Sequence, residues 1–564
     1  MYVEAKRGGS RELWRFHGGL HLPDHKAISL EQPTRQTTLP RQLVLPLLQH
    51  IGASAQPLVE VGQRVLKGEK IADSPAPVTA PLHAPTSGTV VGIGDYPIPH
   101  PSGLSGPCIL IESDGRDEWG ALPEPIADYR ACDATTLRER IREAGIVGLG
   151  GATFPSAVKL NPGKPIKTLI INGAECEPYI TCDDRLMQDQ PERVIAGVRI
   201  LQHMLQSEEC LIAIEDNKPE AILALHNLVW EDEPIEVVRI PTLYPSGGEK
   251  QLIRILTGRE VPSSGLPAQL GVICHNVATA AAIADAVLEG KPLISRLVTL
   301  TGEGIQAPGN YQALVGTLAS DLIAQAGGYR GNPRQLILGG PMMGFDLASD
   351  AVPITKGSNC LLCPSPEEAP SPAPARACIR CGRCADACPA HLLPQQLYWY
   401  SRAKDLEKVQ DYNLFDCIEC GCCSHVCPSH IPLVHYYRYA KNECWAQERE
   451  RREAERAKQR HDIRIARLER LETERKANLR KKRDALKKPA AERGQPSKPD
   501  DDREHKQAAI EAAMKRAAEK KARQSVKPKN TDNLTPEQQT EIEAVERRRK
   551  LAGDNTKGET ERQT

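Results

Sequence analysis

Eight of the eighteen cysteines in this 564-residue chain fall into two runs with one spacing. CIRCGRCADACPAH (378–391) and CIECGCCSHVCPSH (417–430) superpose at an offset of 39, and each reads Cys-x2-Cys-x2-Cys-x3-Cys-Pro. Three cysteines two residues apart let one tight loop set three thiolates on three irons of a cubane. Gly382 and Gly421 let the backbone wrap closely and aim amide N–H groups at the sulfurs. The fourth cysteine opens a helix leading away and, where two such runs hold two cubanes, ligates the other one. Cys378, Cys381, Cys384 and Cys427 are therefore assigned to one [4Fe–4S] cluster, and Cys417, Cys420, Cys423 and Cys388 to a second. Pro389 and Pro428 suit the first helical turn. Structural zinc needs only four ligands, usually as two separated Cys-x2-Cys knuckles, and explains two complete runs less well. Cys422 is off register and reads as a bystander. Cys360-x2-Cys363 is a candidate knuckle of another metal site, with no partner pair evident.

A second group of residues has the chemistry of nucleotide binding. In AGIVGLGGATFPSAVKL (144–160), Gly148, Gly150 and Gly151 bring backbone against a phosphate or an isoalloxazine ring, with Lys159 in reach of the phosphate. Alone, the loop reads as a plain tight turn, because no strong strand immediately precedes it. TLIIN (168–172), however, runs into the polar loop NGAECEPYITCDDR (172–185), at a strand end where ligands bind. There Asn172, Glu175 and Glu177 suit amide and hydroxyl recognition on a flavin or ribose. LYPSGGEKQLIRILTG (243–258) sets Gly247 and Gly248 at a helix start, a potential phosphate site. Asn276 also opens a helix, where its plain role is an N-cap.

These residues need elements to position them. Residues 130–290 alternate strands with helices, including PERVIAGVRILQHML (191–205), whose Val194, Val198, Leu201 and Leu205 form one stripe. Other helices and strands are expected at 218–229, 210–216 and 235–240. The pattern predicts a Rossmann-like α/β domain with a mostly parallel sheet. Residues 31–115, after a polar lead-in over 1–30, hold short β-branched runs broken by Gly and Pro, which predict many short strands. VEVGQRVLKGEKIA (59–72) and APLHAPTSGTVVGI (80–93) resemble the halves of a biotinyl/lipoyl-type barrel-sandwich domain. The segment Asp73 to His83 has no lysine to acylate, so the resemblance implies the scaffold without the swinging arm. A β-grasp stretch follows over 295–345, and a linker with five prolines over 364–377. Ferredoxin-type segments are expected at 368–398 and 407–436.

Charge divides the chain. From Lys441 to Thr564 there are 35 basic and 25 acidic residues, a net of +10, while the first 440 residues carry −10. Residues 445–487 can form a charged helix, whose stripe of Ile463, Leu468 and Leu471 is too thin for a core. The rest of the 441–564 tail lacks the apolar area to offset ordering entropy and is expected to be disordered. Its acidic content and lack of aromatics disfavour nucleic-acid binding. The opening MYVEAKRGGSRELWRF has no apolar signal region, and no stretch approaches 18 apolar residues. The chain is therefore expected to remain in the cytoplasm, where disulfides are rare and eighteen cysteines call for metal.

The nucleotide-type motifs resemble the NADH- and FMN-binding subunit of respiratory complex I. That family carries a G-R-G-G-A-G-F-P-x-G-x-K loop, an N-A-D-E-S-E-P loop, a G-E-E loop and an N-V-x-T helix start. Gly148, Gly150, Gly151, Ala152, Phe154, Pro155 and Lys159 match the first. Asn172, Glu175, Glu177 and Pro178 match the second, with Asp184 and Arg185 in its later D-R. Gly248 and Glu249 match the third, and Asn276, Val277 and Thr279 the fourth. Leu149 replaces the loop arginine, Thr153 a glycine and Ala174 the motif aspartate.

The order barrel-sandwich, FMN/NADH fold, β-grasp, two-cubane module and charged tail is closer to the C-subunit family of Rnf/Rsx-type ion-translocating electron transport complexes. That resemblance covers about residues 1–440. It implies a peripheral subunit at the cytoplasmic face of a bacterial inner membrane, beside integral-membrane and flavoprotein subunits. Electrons would pass between NADH, noncovalent FMN, two [4Fe–4S] clusters and ferredoxin-side carriers, with ion movement coupled elsewhere. No catalytic acid or base is required. Two readings stay open beside it: a soluble corrinoid- or quinone-type reductase on the same fold, and a non-enzymatic ferredoxin-like adaptor.

Overall fold

The computed structural model describes residues 11–369, 373–486 and 511–516. The chain forms two units, Met1–Glu453 and Ala454–Thr564. The first is a multidomain α/β assembly.

The barrel-sandwich part pairs Gln42–Pro46, Ser105–Ser113, Gly88–Pro97 and Arg64–Val65 in one antiparallel sheet, and Gln56–Pro57, Lys70–Asp73 and Leu82–His83 in another. Their inward residues, Leu43, Leu45, Val65, Ile71, Val90, Ile109 and Ile111, close a shared core. The hairpin without a lysine of its own receives one from elsewhere. Buried Lys356 donates to the carbonyls of Pro81 and Gly145, both at 2.7 Å. Burial pushes its ammonium down to about 7. It staples the barrel to the α/β domain and is closed to acylation.

The α/β domain has a four-stranded parallel sheet in the order Ile235–Ile240, Glu209–Glu215, Thr168–Gly173, Val272–Asn276. Pro191–Leu205 and Val277–Leu288 share one apolar cluster with the sheet, and Glu249–Thr257 shares another. Proline at the start of Pro191–Leu205 fits a helix N-terminus, and Val194, Val198 and Leu201 are fully buried, with Leu205 at the margin. Gly197 permits the close crossing of those two helices: a Cβ there would lie 1.8 Å from the carbonyl oxygen of Ala280.

The β-grasp sheet holds Gly309–Leu314, Ser295–Thr301, Cys360–Leu362, Ile337–Leu338 and Phe345–Asp346, with Arg35–Gln36 from the lead-in at its edge. It therefore extends past residue 345. Cys360–Leu362 runs parallel to Ser295–Thr301 inside the sheet. Cys360 and Cys363 are fully buried there, and the Cys363 thiol donates to the carbonyl of Gln335 at 3.6 Å. They pack the sheet.

The cysteine module carries short helices at Arg383–Asp386, Pro394–Ala403, Leu406–Asp411 and Cys422–His425, then the long helix Leu433–Leu486. Leu433, Val434, Tyr437, Ala440 and Cys444 belong to its core. The tail expected from residue 441 thus begins too early. Lys441 donates to the carbonyl of Cys417 at 2.7 Å and is buried with the module. In the second unit, residues 454–484 are helical and exposed, including Ile463, Leu468 and Leu471, and 511–516 are helical. The disorder expected over the remaining tail, and the middle of the proline-rich linker, lie outside the described residues. No helix among the described residues is long and apolar enough to cross a membrane.

Candidate functional site

The two cysteine runs fold alike. Arg380 and Glu419 take left-handed backbone at φ 56° and 59°, followed by Gly382 and Gly421 at 83° and 80°. This turn aims the amides of Arg380 and Glu419 at the sulfurs of Cys378 and Cys417, each 3.4 Å away. The amide of Leu392 likewise meets the sulfur of Cys388 at 3.4 Å. Each cavity collects three cysteines of one run and the fourth of the other. Cys388, Cys417, Cys420 and Cys423 line an inner cavity. Cys378, Cys381, Cys384 and Cys427 line an outer one. All eighteen cysteines are free thiols. Four thiols around each cavity, with N–H groups on the sulfurs, fit a cubane in each. Cys422 lines neither cavity and is buried in an apolar cluster with Tyr244, Ala387 and Cys420.

The inner cavity abuts the α/β domain. Tyr244, buried in the loop after Ile235–Ile240, donates its hydroxyl to the carbonyl of Cys420 at 2.7 Å. Lys250 on the following helix pairs with Asp416 at 3.3 Å. The lead-in is a strap across this seam. Leu20 exchanges backbone hydrogen bonds with Tyr244, Gly19 donates to Ala387, and His17 donates to the carbonyl of Cys388 at 2.9 Å.

The nucleotide-type residues converge at the carboxyl ends of two neighbouring strands. Asn172 and Asn276 lie in register. The glycine loop is a tight turn closed by Gly148 N–H to Phe154 O at 2.8 Å. A Cβ on Gly150 would sit 3.2 Å from that of Asn276, whereas Gly151, at φ +104°, faces open space. Asn172 donates to the carbonyl of Gly247 at 2.9 Å. Lys159 pairs with Glu249 at 2.7 Å. Asn276 caps its helix by accepting from Ala278 at 2.8 Å, and donates to Asp183 at 2.5 Å. Beside it, burial pushes His275 down to about 3, and its Nε2 lacks a hydrogen-bond partner among the described residues. An open glycine turn, a cation and an orphaned ring nitrogen at strand ends fit a phosphate-bearing flavin. Leu149, where the complex I family has arginine, turns inward; its N–H donates to Thr279 and its carbonyl accepts from Arg296.

Glu175 and Glu177, expected to recognise a ligand, also make contacts inside the protein. The Glu175 carboxylate is spent on the amides of Asp183 (2.7 Å) and Asp184 (3.2 Å). Burial raises it to about 8, against the opposing pull of Lys26. The Glu177 carboxylate accepts from the amides of Met342 (2.7 Å) and Met343 (3.0 Å) in the β-grasp domain. Both carboxylates shape the loop and its contacts. The loop is further held by Lys26, whose ammonium donates to the carbonyls of Glu175, Glu177 and Ile180. Lys26, Tyr244 and Arg296 are functional neighbours that sequence reasoning missed. Tyr244 lies within the 243–258 segment singled out for its glycines, but lone cations and tyrosines in loops carry no periodic signal.

Known proteins give this geometry a family. The RnfC barrel sandwich hybrid domain matches residues 14–116 and the Nuo51 FMN-binding domain 141–285. The SLBB domain matches 297–346 and the 4Fe-4S dicluster domain 377–431. The ion-translocating oxidoreductase complex C-subunit of Yersinia pestis is 50% identical over 477 residues, covering 84% of this chain and 76% of that one. The chain belongs to the C-subunit family of ion-translocating oxidoreductase complexes. The Yersinia enterocolitica member is 50% identical over 84% of this chain and 68% of its own. The Pseudomonas aeruginosa member is 52% identical over 82% of this chain, which spans 60% of that relative's length. Membership of this family joins the FMN-type domain to the dicluster module in one redox protein.

Proposed function

We propose that the chain is the peripheral electron-transfer subunit of an ion-translocating oxidoreductase complex. In this reading it exchanges electrons with NADH at the cytoplasmic face of a bacterial inner membrane, beside integral-membrane and flavoprotein subunits. The observation that carries it is the contact between the two redox regions, where Tyr244 of the FMN-type domain reaches the carbonyl of Cys420. Once bound, FMN supplies hydride acceptance and the cubanes supply one-electron relay. The chain's own residues hold and orient. The turn from Gly148 to Phe154 and Lys159 receive the flavin phosphate, with Asn172, Gly248, Glu249 and Asn276 around it. The crossed cysteine sets hold the clusters. Glu175 and Glu177 brace the loop between them.

The test is anaerobic purification with iron, sulfide and flavin measured together. About eight irons and about one FMN per chain are expected. Intact clusters without flavin would favour the ferredoxin-like adaptor. Replacing Gly151 with a bulky residue should remove flavin and spare iron; retained FMN would refute the loop's role. Co-expression with the membrane subunits should hold the chain on membranes until those subunits are removed. A chain that stays soluble beside them would favour a soluble reductase.

A further inference from the structure

We propose that residues His17 to Leu20 of the lead-in are a positioning segment for electron transfer, which sets the ligands of the inner cubane at a fixed place against the flavin loop. The proposal rests on the electron-transfer reading above.

The segment is pinned to the α/β domain on both sides. Before it, Arg11 pairs with Glu209 at 2.7 Å and with Glu236 at 3.0 Å, and the Trp14 amide donates to the carbonyl of Ile255 at 3.0 Å. The Trp14 ring lies against Gly258, where a Cβ would come 2.7 Å from it. At its end, Leu20 exchanges backbone hydrogen bonds with Tyr244 at 2.8 and 3.0 Å. Beyond it, the buried ammonium of Lys26 holds the carbonyls of Glu175, Glu177 and Ile180 in the loop after Thr168–Gly173.

Between these pins the segment grips the backbone of the cysteine module. His17 donates to the carbonyl of Cys388 at 2.9 Å, and its ring stacks on that of His391 with centroids 4.1 Å apart. Gly18 has left-handed backbone at φ +67°, and a Cβ there would lie 2.6 Å from the carbonyl carbon and oxygen of Ala387. Gly19 donates to that oxygen at 3.2 Å. Cys388 is the ligand that the first run sends across to the inner cubane, so the segment holds it directly. Through Tyr244, whose hydroxyl donates to the carbonyl of Cys420, it also holds a ligand of the second run. Leu20 packs in the apolar cluster that Tyr244 shares with Ala387 and Cys420. Two direct ties of the module to the α/β domain are weaker. Lys250 and Asp416 are partly exposed, and the amide of Gln251 is 3.5 Å from the carbonyl of Pro389.

The lead-in therefore fixes the flavin loop at one end and the inner ligands at the other. The step it serves passes one electron between flavin and inner cubane, one oxidised as the other is reduced, with no bond made or broken. A misplacement of about 1 Å is enough to cost a held pair of reactants much of its rate.

The experiment uses the full chain with its clusters and FMN loaded, reduced with dithionite, freed of it and mixed with NAD+. Stopped-flow absorbance follows flavin and cluster reoxidation as separate phases, and hydrogen exchange follows the amides of Gly19 and Leu20. Gly18→Val drives a branched side chain into the Ala387 carbonyl. It is expected to slow the cluster phase at least about tenfold. Both amides should exchange faster, with the flavin phase, iron and FMN unchanged. Gly163→Val carries the same left-handed strain at φ +65°, with nothing within 4 Å of a Cβ, and should match wild type in every readout. His17→Ala removes only the Cys388 bond and the His391 stack. It should slow the cluster phase by a smaller factor, and it decides the matter if Gly18→Val does not fold. The proposal is overturned if the deciding variant keeps the wild-type cluster phase, whether or not its amides exchange faster. Equal slowing in Gly163→Val overturns it, as does iron or flavin lost in proportion to the rate, which would make the segment merely structural. A loaded wild type that passes no electrons to NAD+ sinks the electron-transfer reading; a wild type that does, with unaffected variants, sinks the positioning segment alone.

Discussion

The inner and outer halves of the cysteine module begin from one motif and end in opposite surroundings. Three positions account for much of the difference. Asp416, just before the second run, and Glu419 and Cys422 within it stand opposite Ala377, Arg380 and Arg383. Asp416 ties down Lys250 and Ser263, Glu419 ties down Arg438 and Lys441, and Cys422 fills an apolar pocket against Tyr244. Among the described residues their counterparts make no such contacts. Ligand spacing therefore decides that each run can hold iron, while the residues between the ligands decide what the held iron faces. In the family setting, this gives the module an end turned to the FMN-type domain and an end turned outward.

The sharpest way to break that comparison is to delete a ligand from each half. Cys423→Ala and Cys381→Ala should each lose about half the iron, because each removes one ligand from one cubane. Cys423 is 8% exposed and belongs to the module's core, whereas Cys381 is exposed. The inner deletion should therefore also lower the melting temperature clearly, and the outer one little. Equal melting temperatures would erase the distinction. Next in size is Tyr244→Phe, which strips the hydroxyl from the carbonyl of Cys420. An unpaired buried carbonyl costs about 1–3 kcal/mol, read as a shift in the urea midpoint with iron retained. A variant as stable as wild type would mean that the tyrosine does not hold the inner half to the α/β domain.

These contrasts also show which parts of the molecule were legible in advance. The collection of three cysteines from one run and one from the other around each cavity follows from local spacing, and local spacing survives folding. Pro191–Leu205 was readable at both ends because proline opens it and a 3.6-residue stripe runs through it. Cys360–Leu362 was not, because a three-residue strand has no period, and its place is set by distant partners such as Thr299. The internal contacts of the Glu175 and Glu177 carboxylates were illegible for a related reason. Their motif positions suit a ligand, but backbone amides from Asp183, Asp184, Met342 and Met343 reach them first. Buried Lys26 and Lys356 left no trace either, since the carbonyls that hold them come together only in the folded chain.

The smallest effects test the comparison at a single equivalent position. Glu419→Gln leaves Lys441, 7% exposed, without its carboxylate, although the carbonyl of Cys417 still accepts from it. Glu419 is itself about a quarter exposed, so water screens part of the loss, and a cost of about 1–2 kcal/mol is expected. Arg380→Gln changes the matching position on the outer half, where nothing in the described structure pairs with the guanidinium. Surface changes of that kind fall within about 0.5 kcal/mol. Denaturant titration of the two variants side by side measures the difference. If Arg380→Gln proved as costly as Glu419→Gln, Arg380 would have an internal role, and the outer half could not be the module's free end. If both were silent, the ion pairs at Glu419 would not be what sets the inner half against the rest of the fold, and Cys422 and Asp416 would have to carry that contrast alone.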